Sequence, residues 1–172
     1  MNFLLNLDEI QKRKSVHTIV EVILMDKEKL SEELNQLLKG CHMGAAVFED
    51  LEKKLKAEEL QLEFTRILRI LKVHERTLTA QINAIGKDAT DDAGMMGTMA
   101  EMMNKFKNLS LMNDTEVIAE AVKSIEMGEK AIRDFDDSHF TLDEDMQKTI
   151  RIMEDDYKSI YYNLHKYLIE LK

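Results

Sequence analysis

Residues 34–51, LNQLLKGCHMGAAVFEDL, are matched 84 positions later by residues 118–135, IAEAVKSIEMGEKAIRDF, which carry apolar or small residues at the corresponding places. The matched pairs follow the three- and four-residue spacing of one helix face: Leu34/Ile118, Leu37/Ala121, Cys41/Ile125, Gly44/Gly128, Phe48/Ile132 and Leu51/Phe135. A unit of about half the chain is far longer than a solenoid repeat and is the size of a helical hairpin. Two such hairpins predict one four-helix bundle.

Four segments carry an apolar stripe at helical spacing. Helix 1 is expected over about 26–56, helix 2 over 58–85, helix 3 over 114–137, and helix 4 from about residue 141 onward. The complete absence of proline suits a chain that is nearly all helical, because proline breaks helix interiors.

Residues typical of helix ends flank these segments. Gly86 is expected to end helix 2, and Asp114 or Thr115 to cap helix 3. Thr141 and Glu144 have the spacing of a capping box at the start of helix 4.

The connection between the two hairpins is too long for a bundle turn. We expect hairpin 1 over 26–86, a crossover over 87–113 and hairpin 2 over 114–172, which together form one four-helix bundle over 26–172. A partly helical crossover of this length can traverse the whole bundle, so that helices 2 and 3 would run parallel.

The crossover is rich in methionine. Its apolar residues follow helical spacing and predict a short helix packed against the bundle: Met95, Met99, Met102, Phe106 and Leu109. Methionine fills irregular gaps in cores and is also frequent on adaptable binding surfaces. The residues Met95, Met99, Met102 and Phe106 are therefore either core filler or candidates for a partner-binding face.

Residues 1–25 lie outside the repeat and are interpreted as an N-terminal extension. Val16, Ile19, Val20 and Ile23 have the spacing of a short amphipathic helix, but the run Thr18-Ile19-Val20 is also typical of a strand. The segment is either an appendage or a product of an upstream start.

Composition excludes several classes of protein. With a net charge of −9, and Lys12-Arg13-Lys14 as the densest basic cluster, the chain lacks the basic stripe of a nucleic-acid-binding protein. Its longest apolar run is too short for a membrane span, and its first residues do not have the positive flank and small-residue cleavage site expected of a secretory signal. The single cysteine, Cys41, cannot form an internal disulfide and is interpreted as a small buried hydrophobe. We therefore expect a cytoplasmic protein.

A helical hairpin, a crossover and a second hairpin in matching register resemble the ferritin-like superfamily. The supporting residues are Leu37-Leu38-Lys39-Gly40-Cys41-His42-Met43-Gly44 with Phe48, then His74-Glu75, then Gly128-Glu129 with Phe135. The chain is most similar to an uncharacterised bacterial branch, a ferritin-like domain of unknown function. The resemblance covers roughly residues 30–170 and implies a four-helix bundle with one long crossover.

Iron-handling members of that superfamily carry Glu-x-x-His on two helices. Here Leu71 stands three residues before His74, and Tyr162 stands three residues before His165. The pattern for a di-iron centre is therefore missing.

A weaker polar or single-metal site is the alternative. His74 lies on the apolar stripe of helix 2 and is interpreted as a core histidine satisfied by hydrogen bonds, or else as a metal ligand or proton carrier. The candidates for such a site are His74, Glu75, Glu129 and Asp156. Any cofactor would be one divalent metal ion.

The paired glycines Gly44 and Gly128 indicate close helix–helix approach, or alternatively a small ligand pocket beside them. Each costs its helix about 1 kcal/mol relative to alanine.

The sequence contains no nucleophile motif, phosphate loop or cysteine–histidine metal cluster, and it does not predict an enzyme. We expect a bundle that acts by self-association, such as a homodimer, or by binding a protein partner. The alternative is a metal-binding or oxidoreductase-type bundle with a degenerate site.

Overall fold

The computed structural model describes residues 2–90, 113–138 and 142–171, with the backbone alone described for residues 2–25. These ranges form four α-helices: α1 (Asn2–Glu52), α2 (Glu58–Ala84), α3 (Asp114–Ser138) and α4 (Glu144–Glu170). No strand occurs in the described ranges. None of their helices has the length and apolar character needed to cross a bilayer. The predicted all-α bundle is confirmed.

The first helix differs most from its prediction. It begins at Asn2 instead of near Asp26, so the backbone of the extension is continuous with the bundle helix. The β-branched run Thr18-Ile19-Val20 is helical, because the local preference for a strand is weak beside the long helical pattern that follows it. At its other end α1 stops at Glu52, before the predicted Lys56.

Contacts between helices give their relative directions. Between α1 and α2, His42 lies against Glu75, and the Thr65 hydroxyl donates to Glu52. Residue numbers thus rise on one helix as they fall on the other, and the two helices are antiparallel.

The pairing of α2 with α4 follows the same rule. Gln81 donates to the Thr149 hydroxyl, and the Tyr167 hydroxyl donates to Glu59 at the other end of the pair. These two helices are therefore also antiparallel, and α4 runs in the same direction as α1.

The start of α3 completes the topology. Asp114 accepts the backbone N–H groups of Lys56 and Ala57, at 2.8 and 2.9 Å, so α3 begins beside the chain that has just left α1. Helix α3 consequently runs antiparallel to α1 and parallel to α2. This confirms the predicted order of two hairpins joined by a long crossover. Most of the crossover, including Met95, Met99, Met102 and Phe106, lies outside the described residues.

The predicted stripes form the core of the bundle. Leu34, Leu38 and Phe48 of α1 are fully buried, together with Ile118 of α3. The α2 and α4 stripes correspond at a shift of 86 residues rather than 84: Leu60/Met146, Phe64/Ile150, Ile67/Met153, Leu71/Tyr157, His74/Ile160 and Leu78/Leu164. Corresponding residues of α4 therefore come two positions later in the sequence than the 84-residue shift predicts.

Two helix starts differ from the predicted caps. Helix α3 is capped by Asn113, whose side chain accepts the N–H of Glu116, because Asp114 is engaged with the end of α1. Helix α4 is capped by Asp143, which accepts the N–H of Met146 at 2.8 Å. The predicted cap Thr141 lies outside the described residues.

The end of α2 agrees with its prediction. Gly86 has φ 78°, a left-handed conformation that favours glycine and stops the helix.

The paired glycines make equivalent contacts in the two hairpins. A Cβ built on Gly44 would lie 3.9 Å from Leu71 Cδ1, whereas one on Gly128 would overlap the ring of Tyr157. Leu71 and Tyr157 are corresponding residues of the repeat, and the larger tyrosine accounts for the tighter approach. The close approach predicted at Gly128 is confirmed, whereas Gly44 has room.

This difference predicts opposite effects for one substitution. Gly128→Ala should destabilise the protein by a net ~1–2 kcal/mol, because forced overpacking costs about 1–3 kcal/mol and exceeds the gain in helix propensity. Gly44→Ala meets no obstruction and should stabilise it by up to ~1 kcal/mol. Urea unfolding of both variants measures the two free energies. Equal effects would contradict the described packing.

Candidate functional site

A buried histidine lies between α2 and α4 at mid-bundle. His74 is 2% exposed, and its Nε2 lies 2.8 Å from Oδ2 of Asp156. The Asp156 side chain is 38% exposed, so the pair connects the core with solvent. The bundle thus satisfies one ring nitrogen of His74 with a carboxylate from another helix.

Tyr157 follows Asp156 and points into the core. Its ring stacks on that of His74, with 5.8 Å between the centroids. Its hydroxyl also lies near the sulfur of Cys41 on α1. One residue of α4 therefore contacts both α1 and α2.

Burial keeps these two groups protonated. It raises the pKa of the Cys41 thiol to about 12, against the smaller opposing effect of the Tyr157 hydrogen bond. Burial also raises the pKa of Tyr157 well above its usual value, and nearby Cys41 and Glu75 add to that rise. A thiol held protonated is a poor nucleophile, which agrees with the prediction that Cys41 serves as a buried hydrophobe.

Glu75 is buried on the other side of α2. Its carboxylate lies 3.1 Å from Nδ1 of His42 on α1 and 3.6 Å from Nζ of Lys72. Lys72 also reaches Glu49 of α1, at 3.7 Å. Basic groups from two helices thus flank the buried carboxylate, which reduces the cost of its burial.

The four residues suggested for a metal site lie in different surroundings. His74 and Asp156 meet, whereas Glu75 contacts His42 and Lys72, and Glu129 forms an ion pair with Arg133 at 2.8 Å. In the described part of the chain, no three His, Cys, Asp or Glu side chains are grouped so that they could hold a metal ion.

The residues present do not fit a di-iron centre either. Leu71, three residues before His74, is fully buried among apolar side chains, and Tyr162, three residues before His165, is 72% exposed. Neither position supplies the carboxylate that such a centre needs.

A cavity of about 250 Å³ lies between α1 and α3. Corresponding residues of the two hairpins line it in pairs: Gly40/Ser124, Met43/Met127, Gly44/Gly128, Val47/Ala131 and Leu71/Tyr157. A pocket beside the two glycines was the second interpretation of their pairing in the sequence, and the structure contains a cavity at that place.

Two of the contacts in this region were not predicted from the sequence. The His42–Glu75 and Cys41–Tyr157 contacts join helices that are distant in sequence. The sequence did contain one signal for such contacts, because polar residues lie beside the apolar stripes of α1 and α2 at the same level of the bundle.

Comparisons with known proteins agree with this architecture. A family model described as "Domain of unknown function (DUF2383)" matches residues 29–138, well over half of the chain. A similar solved structure is described as a two-domain protein containing DJ-1/ThiJ/PfpI-like and ferritin-like domains, from Anabaena variabilis. The resemblance to ferritin-like domains of unknown function is confirmed.

The structural relative supports the fold alone. It has 20% sequence identity to this chain and a TM-score of 0.52. The match covers 84% of this chain and 35% of that chain, so this chain spans about a third of the relative's length. A comparison with curated proteins gave no match.

The His74–Asp156 contact can be tested by removing its acid. Asp156→Ala should destabilise the protein by about 1–3 kcal/mol, because Nε2 of the buried His74 loses its partner. The exposed neighbour is a matched control, and Asp155→Ala should change stability by less than about 0.5 kcal/mol. Chemical denaturation measures both, and a neutral Asp156→Ala would mean that the contact contributes nothing.

Proposed function

Because this chain belongs to the family described as Domain of unknown function (DUF2383), whose description assigns no activity, we propose from the structure that it acts by self-association. In this proposal a ferritin-like bundle pairs with a second copy through the N-terminal half of α1. The proposal rests on one observation, which is the length of that helix.

Helix α1 extends well beyond the other described helices. The segment after α2 lies beside the middle of α1, where Lys87 pairs with Glu28 and the Thr90 N–H is accepted by Asn35. Helix α3 also ends at this level of α1, because its last residue, Ser138, lines one pocket together with Glu33 of α1. This pocket is separate from the cavity beside Gly44 and Gly128. About 25 residues of α1 therefore project past these helices, a length of roughly 37 Å at 1.5 Å per residue. We call residues 2–26 the overhang.

A helix that projects into water needs another surface for stability. Most helical stability in proteins comes from packing an apolar face and not from helix propensity. In the sequence of the overhang, Val16, Ile19, Val20 and Ile23 continue the spacing of the core residues Leu30 and Leu34. None of the other described helices reaches this level of α1, so a second copy is the proposed partner of the stripe.

The charges of the overhang favour an antiparallel pair. If Ile19 of one copy lies opposite Val20 of the other, then Val16 meets Ile23, and Arg13 meets Asp26. Within the basic cluster Lys12-Arg13-Lys14, only Arg13 would thus face an acidic residue, Asp26. Pairs of this kind select orientation in helical dimers more than they add stability.

Metal binding is the alternative function. His74 and Asp156 together supply two ligands of the types that bind divalent ions, and the remaining coordination positions would need water or a substrate. The described residues give this alternative less support than self-association, because Glu75 and Glu129 are each paired with another side chain.

Self-association is tested by introducing charge into the stripe. Ile19→Asp combined with Ile23→Asp should convert the oligomer to a monomer, since burying two carboxylates between helices is strongly unfavourable. Ser15→Asp combined with Thr18→Asp adds the same charge off the stripe and should leave the oligomer intact. Sedimentation equilibrium measures the mass of each variant, and a monomeric native protein at tens of micromolar would refute the proposal.

Iron loading tests the interpretation that the chain has no di-iron centre. Anaerobic addition of Fe²⁺ followed by oxygen should give no oxo-bridged absorption band and no stoichiometric binding of two irons, because Leu71 and Tyr162 occupy the positions of acidic ligands. Metal analysis of untagged protein provides an independent measurement. Two tightly bound irons per chain would contradict the interpretation of the site.

A further inference from the structure

We propose that the cavity between α1 and α3 binds one small, neutral aromatic molecule. The cavity measures about 250 Å³ and is bordered on both sides by equivalent residues of the repeat. Gly44 leaves room on the α1 wall, because a Cβ built there would meet only Leu71 Cδ1 at 3.9 Å. This site is separate from the overhang and does not depend on self-association.

The lining determines the charge of the ligand. Every described residue that lines the cavity is uncharged, and Ser124 and Tyr157 carry its only side-chain hydroxyl groups. The Tyr157 hydroxyl lies near Cys41, within the core. A charged ligand would lose its hydration without gaining an ionic partner, so the cavity selects a neutral molecule.

The volume determines the size of the ligand. Apolar cavities of about 150 Å³ in other proteins stay dry and accept benzene, so about 250 Å³ has room for a substituted benzene or an indole. A partner helix is a poorer fit, because helix binding needs a groove that extends over several turns. The cavity extends along α1 only from Gly40 to Val47, which is shorter than such a groove.

The methionines favour an aromatic ring. Met43 and Met127 are equivalent residues on opposite walls, and thioether sulfur makes favourable contacts with ring edges. Met127 is 53% exposed and lies at the rim, where its flexible side chain can move to admit a ligand. The ring of Tyr157 forms part of the inner wall and offers a second aromatic contact.

The Ser124 hydroxyl supplies one polar contact. It belongs to the cavity wall on α3, opposite Gly40 of α1. An aromatic ligand with one N–H or O–H group could bond to it, which makes indole a suitable probe.

The test is calorimetric titration of the full-length protein with indole, toluene and benzoate. Indole and toluene should bind with one site per chain, whereas benzoate, a ring of similar size with a negative charge, should bind at least tenfold more weakly. Absence of saturable binding of both neutral probes at millimolar concentration would overturn the proposal.

Cavity-filling variants locate the site. Gly44→Leu should weaken indole binding at least tenfold, because Gly44 lines the cavity and the added side chain would occupy part of its volume. Gly40→Leu is a second variant of a residue that lines the cavity, and it should weaken indole binding in the same way. Ala80→Leu on the exposed face of α2 is the control and should bind indole as the native protein does.

Two results would contradict the proposal. If both filling variants are folded by circular dichroism and still bind indole normally, the ligand lies at another part of the protein and the proposal is wrong. If they change the oligomeric mass while the native protein binds neither neutral probe, the cavity is a protein contact and the proposal is also wrong.

Discussion

Tyr157 connects the last helix of the bundle to each of the other three. Its ring lies against Gly128 of α3 and stacks on His74 of α2, and its hydroxyl lies near the sulfur of Cys41 on α1. These contacts require α3 to carry no side chain at residue 128. They also require α1 to offer a small side chain at residue 41. The glycine, the cysteine and the buried histidine therefore depend on the position of one tyrosine ring.

The internal repeat explains why a cavity and a tight contact lie side by side. Leu71 and Tyr157 are equivalent residues packed near equivalent glycines, but leucine leaves space at Gly44 where tyrosine fills it at Gly128. The two equivalent glycines thus have different surroundings: Gly128 packs closely against Tyr157, whereas space remains between Gly44 and Leu71. The two-residue displacement of α4 brings Tyr157 to the place that Leu71 occupies in the first hairpin, and this replacement makes the two halves chemically different.

The apolar residues of the sequence predicted most of the fold, because helical spacing and the shift of 84 residues are visible without coordinates. The stripe through Leu34, Phe48 and Ile118, and the need for a long crossover, followed from that pattern. The start of α1 did not, since a β-branched run is compatible with either helix or strand. The partners of Glu75 and Cys41 were also beyond reach, because they depend on how neighbouring helices are rotated.

The buried polar pairs set the alignment of the helices in a way that apolar packing does not. Leucine and isoleucine can exchange neighbours after a slip of one helical turn, but a slip of α2 would separate His74 from Asp156 and Glu75 from His42. Leaving such groups buried without partners costs more than the pairs contribute to stability. Helix α2 is thus held in register with α4 on one side and with α1 on the other. The same level of the bundle holds metal ligands in iron-handling ferritin-like proteins. In this chain the polar side chains there join the helices to one another, and the apolar α1–α3 cavity lies beside them.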